Sequence, residues 1–315
     1  MPGHVEPLLP AGYRSHPARP EDVRAVEALL ASCERELYGR AGSDAGRVTA
    51  DLARPGLVAE LDTAVARDAT GAVAGWAWVD RRSVVRVHPA HRGLGLGAAL
   101  LDWAEARARA AGAEQITQVV PDADAAAVSL VRSRGYQPRV TEWLLEHRAT
   151  PGELPPAPPG TTVRPYREGD GPALHTLVQD AFDEWQQRRH GYREWAAHTV
   201  AHPAFAPAAT LLALTDGRLT GATVSLHSPE PDQGWIEQLA VHPAHRHRGL
   251  ARHLLAATFD AFRRHGRPTT TLGTHSGTGA LDLYLRVGMR VRHSSTVHRK
   301  ELSVPARPPL TPGAA

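Results

Sequence analysis

The spacing of apolar residues predicts the same series of helices and strands in both halves of the chain. Val23, Val26, Leu29 and Leu30 recur on one face of a helix, and alternating apolar stretches around polar turns indicate hairpins. The pair Asp216-Gly217 is a strong hairpin signal in the second half. The predicted pairs of elements are helices at 20–38 and 169–185, hairpins at 64–79 and 211–226, helices at 94–111 and 250–265, and strands at 115–120 and 269–274.

Each half then continues with a short helix and a last strand. The order is therefore helix, three strands, helix, strand, helix, strand. This order predicts an α/β fold with a mixed sheet and helices on both of its faces.

One segment occurs twice with ten of its fifteen residues identical, and it joins the third strand of each half to its long helix. Residues 87–101 read VHPAHRGLGLGAALL, and residues 241–255 read VHPAHRHRGLARHLL. Arg246 follows Arg92 by 154 positions, as Gly249 follows Gly95. Such a period indicates a duplicated domain, since solenoid repeats span about 20–50 residues. A glycine turn that opens a helix directs backbone N–H groups at an anion, so two phosphate sites are expected.

A proline-rich stretch separates the halves. Residues 148–160 read RATPGELPPAPPG, with five prolines in thirteen residues, which is typical of an extended spacer. We therefore predict an N-terminal domain at 1–147, a linker at 148–160, a C-terminal domain at 161–303 and a flexible tail at 304–315.

Composition narrows the class of protein. The 315 residues are 42% hydrophobic and 22% charged, as in ordinary globular proteins. No signal peptide and no apolar run of about 20 residues is present, so we expect a cytoplasmic protein without a membrane partner. Cys33 is the only cysteine, which excludes an intrachain disulfide. The net charge of +3 comes from arginines that are scattered along the chain and form no basic block, so we expect no nucleic-acid partner.

The repeated motif resembles the cofactor motif of the GNAT-type N-acetyltransferase superfamily, Arg/Gln-x-x-Gly-x-Gly/Ala. A second motif of that family, Ala-x-x-x-Tyr-x-x-x-Gly-Phe/Met, has its match at Ala280, Tyr284, Gly288 and Met289. The first half has Val131 in place of the tyrosine. The chain is therefore similar to tandem members of the superfamily such as the mycothiol synthases, which implies two GNAT-like domains.

The resemblance implies acetyl-CoA as co-substrate and no metal. The CoA diphosphate is expected on the N–H groups of each turn, and the preceding strand is expected to pair with the pantetheine arm. The implied cofactor-binding residues are Leu239, Ala240, Val241, Arg246, His247, Arg248, Gly249, Leu250 and Ala251 in the second half, and Arg92, Gly93, Gly95 and Gly97 in the first. The neighbouring histidines are interpreted as loop residues, because His247 corresponds to Gly93.

The resemblance also implies the catalytic pair. Glu237 is assigned as general base, directly or through water, and Tyr284 as the acid that protonates the CoA sulfur. Each residue also has a structural interpretation, as a solvated strand residue and as core packing. Ser83 and Val131 stand at the equivalent positions of the first half and cannot transfer these protons. The first half is therefore expected to be catalytically degenerate, with an intact phosphate turn.

The favoured function is an acetyl-CoA-dependent N-acetyltransferase that acts on a small primary amine through its second half. Residues 181–208 are expected to select the acceptor, since they hold Trp185, Tyr192, Trp195 and Phe205 among acidic residues. The same aromatic residues are also explained as packing. Two alternatives stay open, a non-catalytic acetyl-CoA-binding or sensing module and an acetyltransferase for protein N-termini or lysines. Gly277 departs from the family pattern, which often has Asn there.

Overall fold

The computed structural model describes residues 5–42, 45–54, 56–152, 154–184 and 188–302. The chain forms two compact units. Unit 1 contains the residues up to Thr141 and those from Ser295 onward, and unit 2 contains Glu142–Ser294.

The first half of the chain supplies most of unit 1. Its strands and helices are β1 (Arg14–His16), α1 (Val23–Tyr38), α2 (Ala45–Leu52), α3 (Ala59–Asp62), β2 (Thr63–Arg67), β3 (Val73–Trp78), β4 (Val84–Val87), α4 (Leu96–Ala110), β5 (Gln115–Pro121), α5 (Ala125–Ser133) and β6 (Gln137–Arg148). Strands β1 to β4 form an antiparallel sheet in chain order. A parallel bridge between Ser83 and Gln118 connects the start of β4 to β5.

The second half repeats this series. Its elements are β7 (Thr161–Pro165), α6 (Gly171–Phe182), α7 (Tyr192–His198), β8 (Leu211–Thr215), β9 (Arg218–His227), β10 (Gln233–Val241), α8 (Leu250–Arg264), β11 (Thr269–His275), α9 (Leu281–Arg286) and β12 (Arg290–Glu301). Strands β7 to β10 are antiparallel in chain order, and β10 pairs with β11 in parallel. The expected mixed α/β fold with helices on both faces is confirmed in each unit.

The last strands of the two halves are exchanged. Residues Glu142–Arg148 of β6 pair antiparallel with β11 in unit 2. Residues Ser295–Glu301 of β12 pair antiparallel with β5 in unit 1. The units therefore differ from the contiguous domains 1–147 and 161–303 at these strands. The described residues between 149 and 160 form no helix or strand, and the predicted tail 304–315 lies outside the described residues.

Both units pack their long helix against the sheet at a glycine. A Cβ on Gly75 would lie 2.8 Å from Leu100 of α4, and a Cβ on Gly221 would lie 2.9 Å from Leu250 of α8. Only glycine permits so close an approach between helix and strand. The opposite faces are covered by α1 in unit 1 and by α6 and α7 in unit 2. This packing fixes the start of each long helix beside the end of the preceding strand.

Candidate active site

The turn between β10 and α8 has the geometry of an anion cradle. His247 and Gly249 have φ values of +62° and +86°, and Gly249 is the N-cap of α8. In the part of the chain that the structure describes, the backbone N–H groups of residues 247–252 donate to no acceptor. Six free donors at a helix N-terminus favour a phosphate or diphosphate ligand.

The turn between β4 and α4 repeats this backbone. Gly93 and Gly95 have φ values of +74° and +82°, and Gly95 is the N-cap of α4. The N–H groups of residues 93–98 also lack acceptors among the described residues. The left-handed position that glycine occupies in unit 1 is therefore occupied by a histidine, His247, in unit 2.

The arginine of each turn ties the turn to neighbouring elements. Arg246 donates to the carbonyl oxygen of Ala181 at 2.9 Å and forms an ion pair with Glu184 at 3.2 Å. Arg92 forms ion pairs with Glu36 at 2.5 Å and with Asp124 at 3.3 Å. Both arginines therefore hold their turns in place, in addition to lining the cavities beside them.

Strands β10 and β11 separate just before this turn. Their parallel pairing ends at Ile236 and Leu272, and beyond it β10 pairs only with β9. The free edge of β10 from Gln238 to Val241 borders a cavity of about 570 Å³. An extended ligand with amide groups can pair with such a strand edge.

The predicted catalytic pair faces this cavity together with most of the predicted cofactor residues. Its lining includes Glu237, Tyr284, Leu239, Val241, Arg246, His247, Gly249, Leu250 and Ala251. Ala240 and Arg248 are not part of the lining. Ala240 is buried in the core under α6, because alternate residues of a strand point to opposite faces.

Glu237 occupies a β-bulge in β10. The register against β9 shifts between Ile236 and Gln238, so Glu237 is the extra residue. Its side chain is exposed, and its Oε2 accepts a hydrogen bond of 2.6 Å from the indole nitrogen of Trp235. A carboxylate at the mouth of the cavity, held in one orientation, has the geometry of a proton acceptor.

Tyr284 contributes a buried phenol to the same cavity. Tyr284 is 8% exposed and lines the cavity from α9. Burial raises the pKa of Tyr284 to about 12. The phenol therefore keeps its proton at neutral pH and is available as a donor.

Unit 1 has a cavity of about 320 Å³ at its own turn. Arg92, Gly93, Gly95, Gly97 and Val131 line it. Ser83, the counterpart of Glu237, is fully buried and donates to the carbonyl oxygen of Asp80. The cradle is thus repeated in unit 1 while neither proton-transferring group has a counterpart there.

Comparison with known proteins assigns the chain to a family. The model of the acetyltransferase (GNAT) family matches residues 24–136 and again residues 172–289. The chain belongs to the GNAT acetyltransferase family. It is a tandem member, since each half carries one copy of the domain.

Sequence relatives of this tandem GNAT protein include two mycothiol acetyltransferases. The one from Clavibacter sepedonicus is 34% identical over 221 residues, which cover 65% of this chain and 67% of the relative. The one from Actinosynnema mirum is 32% identical over 121 residues, which cover 38% of this chain and 41% of the relative.

Solved structures of two GNAT proteins share the fold over almost the whole chain. A GCN5-related N-acetyltransferase from Sphaerobacter thermophilus has a TM-score of 0.79 and 28% identity, and the match covers 93% of this chain and 97% of that one. A tandem GNAT protein from the clavulanic acid biosynthesis pathway has a TM-score of 0.71 and 19% identity, and the match covers 94% of this chain and 100% of that one. At 19% identity, the match to the clavulanic acid pathway protein shows similarity of fold alone.

Several lining residues of the tandem GNAT protein were not predicted from sequence. Arg252 and Arg286 add cationic groups to the cavity of unit 2. Arg252 lies one turn into α8, three residues after Gly249, and this spacing is a signal that sequence could have supplied. Gly277, which departs from the family pattern, donates its N–H to His275 and does not line the cavity.

The segment expected to select the acceptor contributes Phe182 to the cavity lining. Trp195 is buried, and its indole nitrogen donates to Gln238 at 2.9 Å. Glu194 pairs instead with Arg188 and His190, whose hydrogen bonds lower the pKa of that carboxyl to about 2. Trp185 lies outside the described residues.

No described helix is long and apolar enough to cross a membrane. No group of three or more His, Cys, Asp or Glu side chains among the described residues could hold a metal ion.

Proposed function

We propose that unit 2 transfers the acetyl group of acetyl-CoA to the primary amine of a small molecule. One observation carries the proposal: a single cavity brings together a carboxylate, a protonated phenol, a free strand edge and an anion cradle. These are the four features that acyl transfer from a phosphorylated thioester requires.

The cradle and the strand edge fit acetyl-CoA as a substrate. The diphosphate accepts hydrogen bonds from the N–H groups of residues 247–252, and the N-terminal end of α8 adds partial positive charge. Gly249 leaves the approach open, since nothing lies within 4 Å of a Cβ built there. The amides of the pantetheine arm pair with the free edge of β10 between Gln238 and Val241.

Transfer then needs two proton movements around one displacement. The amine nitrogen attacks the thioester carbon, so a C–N bond forms and the C–S bond breaks. Glu237 accepts the proton that the nitrogen loses, directly or through water, and Tyr284 donates a proton to the departing sulfur. A backbone N–H near Leu239 donates to the thioester oxygen while it carries negative charge. Solvent restores both groups to their starting states.

Unit 1 serves as a structural or cofactor-binding partner in this proposal. Its turn, with Arg92, Gly93, Gly95 and Gly97, keeps the cradle, while Ser83 and Val131 supply no acid or base. Binding of acetyl-CoA there leads to no transfer.

The relatives and the cavity support a small-molecule acceptor. The relatives are named mycothiol acetyltransferases, and we assign this chain a small-molecule amine acceptor of that kind. Phe182 from the end of α6 adds an aromatic side chain to the lining of the cavity that Glu237 also borders, which supports a small acceptor.

The test is release of CoA thiol from acetyl-CoA by the full chain in the presence of small primary amines. Cys33, the only cysteine, is buried, so the protein adds little background to a thiol reagent. Glu237→Gln and Tyr284→Phe are expected to lower kcat by about 100-fold or more while the Kd for acetyl-CoA stays unchanged. Ser83→Ala, at the position equivalent to Glu237, is the matched control and should retain full activity. Binding of acetyl-CoA without transfer to any amine would instead identify a sensing module.

A further inference from the structure

Two consecutive polar residues of β10 line the same cavity, although neighbours in a regular strand point to opposite faces. Glu237 is the extra residue of the bulge, and Gln238 resumes the pairing with β9 opposite Val224. Both side chains border the cavity. The bulge therefore places a carboxylate and a carboxamide side by side where the acceptor amine must enter.

Each of these side chains is held by the indole of a tryptophan. Trp235 donates to Glu237 Oε2 at 2.6 Å, and Trp195 donates to Gln238 Oε1 at 2.9 Å. The ring of Trp235 lies against Gly273 of β11, where a Cβ would be 3.5 Å from the indole. Trp195 is 5% exposed and belongs to the core beneath α6. Both donors are thus fixed by packing before any ligand binds.

The chemistry of the indole sets the direction in which Gln238 points. An indole N–H only donates, so the amide oxygen of Gln238 must face Trp195 and its NH₂ group faces away. This NH₂ group donates to no acceptor among the described residues. Two N–H donors therefore remain at the cavity, beside the carboxylate of Glu237.

The equivalent positions of unit 1 carry different residues. The residues 154 positions before Trp235, Glu237 and Gln238 are Arg81, Ser83 and Val84. The indole contacts are therefore specific to the unit that carries the proposed acid and base.

We propose that Trp235 and Trp195 are positioning residues and that Gln238 determines which acceptor is used. This inference rests on the proposed function. Trp235 holds Glu237 so that its other oxygen receives the proton of the acceptor amine. Trp195 holds Gln238 so that its NH₂ group donates to an oxygen on the acceptor. The acceptor is then a small molecule whose primary amine lies next to a hydroxyl, ether or carbonyl oxygen.

The experiment compares two amines that differ in one hydroxyl group, trans-2-aminocyclohexanol and cyclohexylamine, with the full chain and saturating acetyl-CoA. Wild type should favour the amino alcohol by about tenfold in kcat/KM, the size of one neutral hydrogen bond. Gln238→Leu should bring the ratio near unity. Trp195→Phe should also lower the ratio of kcat/KM for the two amines, because the amide of Gln238 loses its fixed orientation.

Trp235→Phe tests the other indole. It should lower kcat for both amines by about tenfold or more, since misplacing a reacting group costs at least that much. The acceptor ratio and the Kd for acetyl-CoA should not change. Trp103→Phe is the matched control: it also removes an indole hydrogen bond, to the Val5 carbonyl in unit 1, and should leave both readouts at wild-type values.

Failure of the roles of Gln238 and Trp235 can be distinguished from failure of acetyl transfer itself. Equal use of the two amines by wild type, or an unchanged ratio in Gln238→Leu, overturns the role of Gln238 while acetyl transfer stands. A wild-type kcat in Trp235→Phe overturns the role of Trp235. If wild type binds acetyl-CoA but acetylates neither these nor other small primary amines, the proposed function fails and this inference fails with it.

Discussion

Glu237 and Tyr284 line one cavity, although Glu237 lies in a strand bulge and Tyr284 in a short helix after the next strand. The separation of β10 and β11 beyond Ile236 and Leu272 opens this cavity between them. Their different surroundings suit opposite roles. Glu237 is exposed, whereas Tyr284 is buried with its pKa raised.

The raised pKa of Tyr284 predicts a stability effect at high pH. The pKa of about 12 in the folded protein exceeds the ordinary tyrosine pKa of 10.0, because burial disfavours the phenolate. Stability from the neutral phenol is therefore fully present below pH 10 and is lost as pH rises from 10 towards 12. Wild type should lose up to about 1.4 kcal/mol per pH unit relative to Tyr284→Phe in this window.

Denaturant unfolding of the two proteins at a series of pH values measures this difference. The difference in unfolding free energy between wild type and Tyr284→Phe isolates Tyr284, because the remaining tyrosines are the same in both proteins. A constant difference between pH 9 and pH 12 would contradict the burial of the Tyr284 hydroxyl.

The left-handed residue of each turn gives a second prediction. His247 has φ +62° where Gly93 has φ +74°. A left-handed conformation costs a non-glycine residue about 1–2 kcal/mol. Glycine costs about 0.4–1 kcal/mol through the greater freedom of the unfolded chain. The first effect is larger, so His247→Gly should raise the free energy of unfolding by about 0.5 kcal/mol.

The reverse substitution, Gly93→His, is the matched control in unit 1 and should lower the free energy of unfolding by a similar amount. Chemical denaturation with both variants measures the two changes. A loss of stability in His247→Gly would show that the histidine side chain makes contacts worth more than the backbone strain.

The exchanged strands give a third prediction. A fragment of residues 1–147 lacks Ser295–Glu301, the strand that pairs with β5. We expect it to unfold without a cooperative transition, because β5 is left with an unpaired edge. A chimera that joins residues 5–141 directly to 295–302 restores that strand. The join is short, since the Thr141 and Thr296 hydroxyls lie 3.2 Å apart.

Thermal unfolding followed by circular dichroism compares the fragment with the chimera. The chimera should show one cooperative transition. Cooperative unfolding of the fragment 1–147 with the same midpoint as the chimera would contradict a requirement for the exchanged strand.

Much of the fold could be predicted from the sequence, because the signals are local. The predicted helix at 94–111 is α4 (Leu96–Ala110), and the predicted strand at 269–274 is β11 (Thr269–His275). Helical spacing and glycine turns depend only on nearby residues. The fold class and the GNAT family are likewise confirmed, since the repeated turn combines several such signals within fifteen residues.

The strand exchange could not be predicted, because a strand pattern does not specify its partner. Residues 137–148 and 290–301 both follow a short helix, so either could pair in either unit. The bulge at Glu237 carries no glycine or proline signal. The indole contacts depend on where α7 brings Trp195, which lies 43 residues before Gln238 in the chain.

The central claim is that the turn of unit 2 binds acetyl-CoA for the reaction, and calorimetric titration of acetyl-CoA tests it most directly. Gly249→Glu and Gly95→Glu form a matched pair, since both glycines are left-handed N-caps with φ values of +86° and +82°. Each variant strains its turn and places a carboxylate beside the diphosphate. We predict that Gly249→Glu abolishes binding at the turn of unit 2 together with acetyl transfer, and that Gly95→Glu leaves both intact. Absence of heat in wild type at concentrations well above about 1 μM–1 mM, or binding unaffected by Gly249→Glu, would contradict the account.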